Sequence, residues 1–123
     1  MPRFVILLHR PAPNSNEPPH YDFMLEVTAE GSLATWRWNT IPIDSSDFTG
    51  IPLTAHRLEY LEYEGEVSGN RGSVQRKVQG SYSPEIRSEL TEWTIRLSSP
   101  LMVGDLQAQR ISESEWKFLF TAN

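Results

Sequence analysis

The stretch HYDFMLEV, His20–Val27, decides the fold class. Side chains alternate across a strand, so Tyr21, Phe23, Leu25 and Val27 share one face and His20, Asp22, Met24 and Glu26 share the other. The first set reads as core. The second places an imidazole and a carboxylate two residues apart, on the same side as a methionine.

The same period recurs outward from this stretch. RFVILLH (Arg3–His9) is a near-continuous apolar run, as expected of a strand buried on both faces. LATWRW (Leu33–Trp38) follows a turn predicted at Glu30-Gly31. LEYLEYEGEV (Leu58–Val67) and GSVQRKV (Gly72–Val78) read as two strands of a hairpin across the turn-rich SGNRG. Near the end, TEWTIRL, LMVGDLQAQRI and EWKFLFTA alternate again, with Trp93, Ile95 and Leu97 on one face and Trp116, Phe118 and Phe120 on one face. Two segments read as loops. RPAPNSNEPP (Arg10–Pro19) is excluded from helix by its prolines, and IPIDSSDFTGIPL (Ile41–Leu53) is rich in turn formers, with SSDF able to start a short helical turn.

About seven or eight strands with short connections and little helix imply an all-β, mainly antiparallel fold, a small closed or partly closed β-barrel. The 123 residues read as a single domain, 1–123, with no internal repeat. No run of eighteen apolar residues is present, which excludes a helical membrane span. The opening segment meets His9 and Arg10 rather than a small-residue cleavage site, so it reads as a strand and not a signal peptide. The absence of cysteine rules out thiolate metal sites, and the whole favours a cytoplasmic monomer. A net charge of −5 argues against a general nucleic-acid-binding surface. Arg10, Arg57, Arg71, Arg76 and Lys77 could still form a local basic rim.

The chain has three histidines: His9, His20 and His56. If the first two strands are antiparallel neighbours, the proline-rich loop brings His9 and His20 together, and Asp22 shares His20's face. Two imidazoles and a carboxylate are a plausible ligand set for a divalent metal. A His-x-Asp pair in a strand is, on spacing alone, more often a surface pair or an ordinary hydrogen-bond pair. The same applies to His56 and Tyr60, and the four tryptophans read as core or rim packing.

The order FVILLH, HYDFMLE, LATWRW, HRLEYLEYEGEVSGNRGSV resembles the 3′-phosphoesterase domain of bacterial DNA ligase D, a component of non-homologous end joining. That family shows a strand ending in Lys-His, a His-Tyr-Asp-Phe-Arg-Leu-Glu strand, a Leu-x-x-Trp strand and a His-Pro-Leu-x-Tyr segment leading to a glycine-rich hairpin. All three histidines fall on family histidine positions, and Leu101, Leu106, Arg110 and Trp116 resemble its closing strands. The resemblance implies a small barrel with a manganese-loaded groove (Zn²⁺ or Co²⁺ being alternatives). It also implies removal of a 3′-phosphate or 3′-ribonucleotide from DNA ends in DNA repair. Carried over residue by residue, it implies His9, His20 and Asp22 as metal ligands, His56 on the scissile phosphate and Tyr60 as an accessory active-site residue. A free-standing relative of this kind would act on nucleic-acid 3′ ends or another phosphate ester, with a DNA-repair ligase or polymerase as partner.

Two departures bear on activity. Met24 stands where the family has an arginine expected to clamp the phosphate, and losing such a donor costs on the order of 100- to 1,000-fold in rate. The loop from His9 to His20 is longer and proline-rich, and it could bring Arg10 to the phosphate instead. The alternative functions are therefore a catalytically weakened metal-binding or DNA-end-binding accessory protein, and a structural barrel whose histidines are relics.

Overall fold

The computed structural model describes residues 1–27 and 31–123. Of the turn predicted at Glu30-Gly31, Glu30 lies outside the described residues; Gly31 has a positive φ of 66°. Nine strands are described: β1 (Arg3–Arg10), β2 (His20–Val27), β3 (Ser32–Trp38), β4 (Ser46–Arg57), β5 (Gly65–Glu66), β6 (Ser73–Ser83), β7 (Glu92–Ser98), β8 (Val103–Ser112) and β9 (Glu115–Ala122). The one described helix is a 3-10 turn at Leu58–Leu61. No described helix is long and apolar enough to cross a membrane.

Every strand pairing is antiparallel, in the order β1-β2-β3-β4-β9-β8-β7-β6-β5, and β1 also pairs with β6. That last pairing closes eight strands into a barrel, with β5 added beside the start of β6. Closure removes the long open edges that an all-β sheet otherwise exposes.

The barrel interior is an aromatic core. Phe4 and Ile6 of β1, Phe23, Leu25 and Val27 of β2, and Trp36 and Trp38 of β3 meet Phe118 and Phe120 of β9 from across the lumen. Phe23 stacks on Trp38 at 4.2 Å between ring centroids, and Phe118 stands edge-on to Trp38 at 5.2 Å. Tyr82 is wholly buried among them and donates its hydroxyl to the Glu26 carbonyl at 2.6 Å. Burial pushes its pKa up to about 12, so its hydroxyl stays protonated at any ordinary pH.

A second, smaller core lies outside the barrel. Val5 and Leu7 of β1, Met24 of β2, Leu33 of β3 and Val74 of β6 are covered by Tyr60 and Leu61 of the 3-10 turn. This cover is why the run Phe4–Leu8 is buried on both faces, as the apolar stretch RFVILLH predicts.

Two predicted elements are corrected. Ile41–Leu53 is not a loop, since its second half is the start of β4, and SSDF forms no helical turn. β4 pairs with β9 over Ser46–Gly50 and with β3 over Ile51–Arg57. Pro52 therefore lies beyond the last β9 pairing, where a missing N–H costs no ladder bond on that side. Gly50 marks the handover; a Cβ there would stand 2.8 Å from the Trp38 ring. LEYLEYEGEV is likewise not one strand. Tyr60 and Leu61 are consecutive and both buried, which a strand with one covered face cannot achieve, and the chain meets this demand with the 3-10 turn. Only Gly65–Glu66 pairs with β6, across the predicted SGNRG turn.

Candidate metal centre

The β1–β2 register places His9 directly opposite His20. His9 follows Val5 and Leu7 on the outward face of β1, and Asp22 follows His20 on the outward face of β2. Alternation alone thus brings the three side chains together outside the barrel, at the end of the second core. Their ligand atoms all lie within 4.8 Å of one another. His20 and Asp22 are buried, at 4% and 3% exposure, while His9 is half-buried and forms the open side.

The hydrogen bonds decide what this cluster can bind. His9 Nε2 lies 2.7 Å from the Arg71 carbonyl, and His20 Nδ1 lies 3.5 Å from the Pro18 carbonyl. A carbonyl only accepts, so both of these ring nitrogens carry the hydrogen. The opposite nitrogens, His9 Nδ1 and His20 Nε2, face each other at 3.2 Å, close enough to share a proton or to take one cation between them. Asp22 adds its carboxylate at 3.7 Å from His9 Nδ1 and 3.4 Å from His20 Nε2. The second of these contacts has no hydrogen-bond geometry, and Asp22 Oδ1 is a buried atom with no hydrogen-bond partner.

Two imidazole nitrogens and a carboxylate gathered at this range need a proton or a metal cation among them. Donor atoms about 2.1 Å from one ion stand roughly 3.0–3.5 Å apart in octahedral or tetrahedral geometry. Two of the three separations, 3.2 and 3.4 Å, fall within that range, and the third, from His9 Nδ1 to the other Asp22 oxygen, is 3.7 Å. Carbonyl partners on the far nitrogens are the usual means of orienting metal-bound imidazoles. The residues present therefore fit a divalent transition metal held by two nitrogens and a carboxylate. Such a donor set suits several divalent ions without choosing among them.

A cavity of about 520 Å³ opens beside the cluster, lined by His9, Asp22, Met24, His56, Tyr60 and Arg71 among others. His56 reaches it from β4, and its Nδ1–H donates to the Thr54 carbonyl at 2.8 Å. That bond leaves Nε2 as the ring nitrogen free for a ligand. Tyr60 stands edge-on to His56 at 5.6 Å. A larger cavity of about 890 Å³ adjoins the first and shares Arg57, Tyr60, Val67 and Ser68 with it, but contains none of the three ligands. Of the candidate ligands, His9 and Asp22 open onto the smaller one.

The predicted site residues divide accordingly. His9, His20 and Asp22 converge, and His56 and Tyr60 line the same cavity as His9 and Asp22. Arg10 lines only the larger neighbour, where Nη1 donates to Gln75 at 3.4 Å. Met24 is 1% exposed, its side chain built into the second core. Sequence reasoning did not place the carbonyls of Arg71 and Pro18, which orient the two imidazoles. Arg71 had two signals, the SGNRG turn and its place in the expected basic rim, and neither points to its carbonyl.

A comparison with protein-family models finds no match for this sequence, and a comparison with curated proteins finds none either.

Proposed function

We propose that this chain is a metal-dependent phosphoesterase, with nucleic-acid 3′ ends as the first substrates to test, as its resemblance to the 3′-phosphoesterase domain of bacterial DNA ligase D implies. The observation that carries this reading is the convergence of His9 Nδ1, His20 Nε2 and the Asp22 carboxylate, with Asp22 Oδ1 buried and unpartnered. His9, His20 and Asp22 would hold the divalent ion, manganese being the one the resemblance implies, and the chemistry it would supply when bound is that of a Lewis acid. The protein's own contributions are specific. His20 and Asp22 offer a buried anchor, and the Arg71 and Pro18 carbonyls hold both imidazoles in the ligating tautomer. His56 offers Nε2 to the cavity for a phosphate oxygen or a proton, with its ring held by Thr54.

The test is manganese-dependent trimming of a primer ending in a 3′-phosphate or a 3′-ribonucleotide, beside His20→Ala. Turnover in the parent and its loss in His20→Ala are expected. No turnover at micromolar enzyme with saturating manganese rejects nucleic-acid ends as the substrate.

The burial of Met24 favours a second reading, a weakened relative that binds metal or DNA ends with little turnover. Methionine brings neither charge nor donor to the cavity it lines. Tight metal binding without turnover, with activity gained in Met24→Arg, supports it. Unchanged activity in Met24→Arg shows that the missing arginine was not the deficit.

A further inference from the structure

We propose that Arg71 is the oxyanion anchor of this cavity, binding a phosphate group through its guanidinium while its own carbonyl orients the metal-facing His9. The inference rests on the phosphate-ester reading of the site and adds a specific residue to it.

Two arginines line the cavity that holds His9 and Asp22, Arg57 and Arg71. Arg57 is committed to Glu59, with Nη2 2.8 Å from the carboxylate. Arg71 forms no ion pair among the described residues, although the chain carries a net charge of −5. Its guanidinium instead leans on its own loop. Nε donates to the Ser68 carbonyl at 2.7 Å and Nη2 to Ser68 Oγ at 3.2 Å. These bonds fix the plane of the fork and leave Nη1, with one Nη2 hydrogen, for an outside acceptor. A planar fork held in place with donors to spare suits a phosphate oxygen pair.

The loop that carries it is built rather than slack. Val67 N–H donates to the Gly72 carbonyl at 2.8 Å, and Gly69, Asn70 and Gly72 all have positive φ. Gly72 lies so close to Arg10 and Pro11 that a Cβ would stand 1.9 Å from the Arg10 carbonyl oxygen. The same loop therefore abuts the end of β1, holds His9 through the Arg71 carbonyl, and places on the cavity wall a residue whose guanidinium keeps donors to spare. Met24 supplies no charge there, and Arg10 lines only the neighbouring cavity.

The experiment is calorimetric binding of inorganic phosphate to the full chain, with and without manganese, together with manganese affinity measured alone. Arg71→Ala is expected to weaken phosphate binding roughly ten- to a hundredfold, with Arg71→Lys between it and the parent. Manganese affinity is expected to change by less than about threefold, because the carbonyl remains. Arg110→Ala, on the far strand β8, serves as the charge control and should bind phosphate as the parent does. If Arg71→Ala melts, Arg71→Lys alone decides, since it keeps charge and bulk but loses the fork. The proposal is overturned if phosphate affinity is unchanged in the Arg71 variants. It is equally overturned if manganese affinity falls in parallel, which marks a supporting role for the loop, or if Arg10→Ala loses phosphate where Arg71→Ala does not. Absence of phosphate binding by the manganese-loaded parent also overturns it. Failure of the phosphoesterase reading looks different: phosphate binds through Arg71, yet no ester is turned over.

Discussion

The two faces of β2 carry equal burial and opposite chemistry. Inward, Phe23, Leu25 and Val27 meet rings and aliphatic chains from strands all around the barrel. Outward, His20, Asp22 and Met24 are as well hidden, but what hides them is local: β1, β3, the 3-10 turn and the loop before β6. The inward face is held by many redundant contacts, none of them directional. The outward face depends on a few directed ones, two carbonyls and one tight glycine, and so it can fail in function while the barrel stands.

The largest break in that comparison is Phe23→Ala. It removes a ring stacked on Trp38 and edge-on to Phe118 at 6.5 Å, and should cost about 3–5 kcal/mol in denaturant melts. Metal affinity of the molecules that remain folded should persist, because Phe23 faces away from the ligands. Gly72→Ala works the other way. Its Cβ cannot fit against the Arg10 carbonyl and its φ of 88° disfavours any side chain, so a loss of stability above about 1 kcal/mol is expected. The larger readout is manganese affinity, which should fall roughly 10- to 100-fold as the Arg71 carbonyl leaves His9. The smallest effect belongs to Met24→Leu, a volume-conserving change in the second core. It should cost less than about 1.5 kcal/mol and leave manganese affinity as it was. A large loss of metal binding there would show that the second core, and not the carbonyls, sets the ligand geometry.

What could be read from the sequence follows the same divide. Alternation in HYDFMLEV, TEWTIRL and EWKFLFTA assigned the inward residues, because a closed barrel imposes one rule on every strand: Trp93, Ile95, Leu97, Trp116, Phe118 and Phe120 are all buried. The pairing of His9 with His20 was legible because one residue ends the first apolar run and the other opens the next, so antiparallel neighbours place them at the same end. The cover over the outward face was not. Leu58–Val67 alternates well enough to pass for a strand, and only the need to bury Tyr60 and Leu61 together reveals the turn. Ile41–Leu53 misled through its proline and glycine, which here mark the handover of β4 from one neighbour to the other. Arg71 and Pro18 contribute through backbone carbonyls, groups that every residue has and that no motif can distinguish.

The β1–β6 pairing that closes the barrel has a consequence for how the site breathes. His9, His20 and Asp22 all belong to a single hairpin, whereas Arg71 lies across the seam, just before the Ser73 end of β6. Local opening at that seam would release the Arg71 carbonyl and the loop's cation together, yet leave the three ligands in register. On the proposed reading, opening at the closing junction would loosen the anion's guanidinium and the carbonyl that orients His9 at once, while the hairpin alone keeps His9 opposite His20.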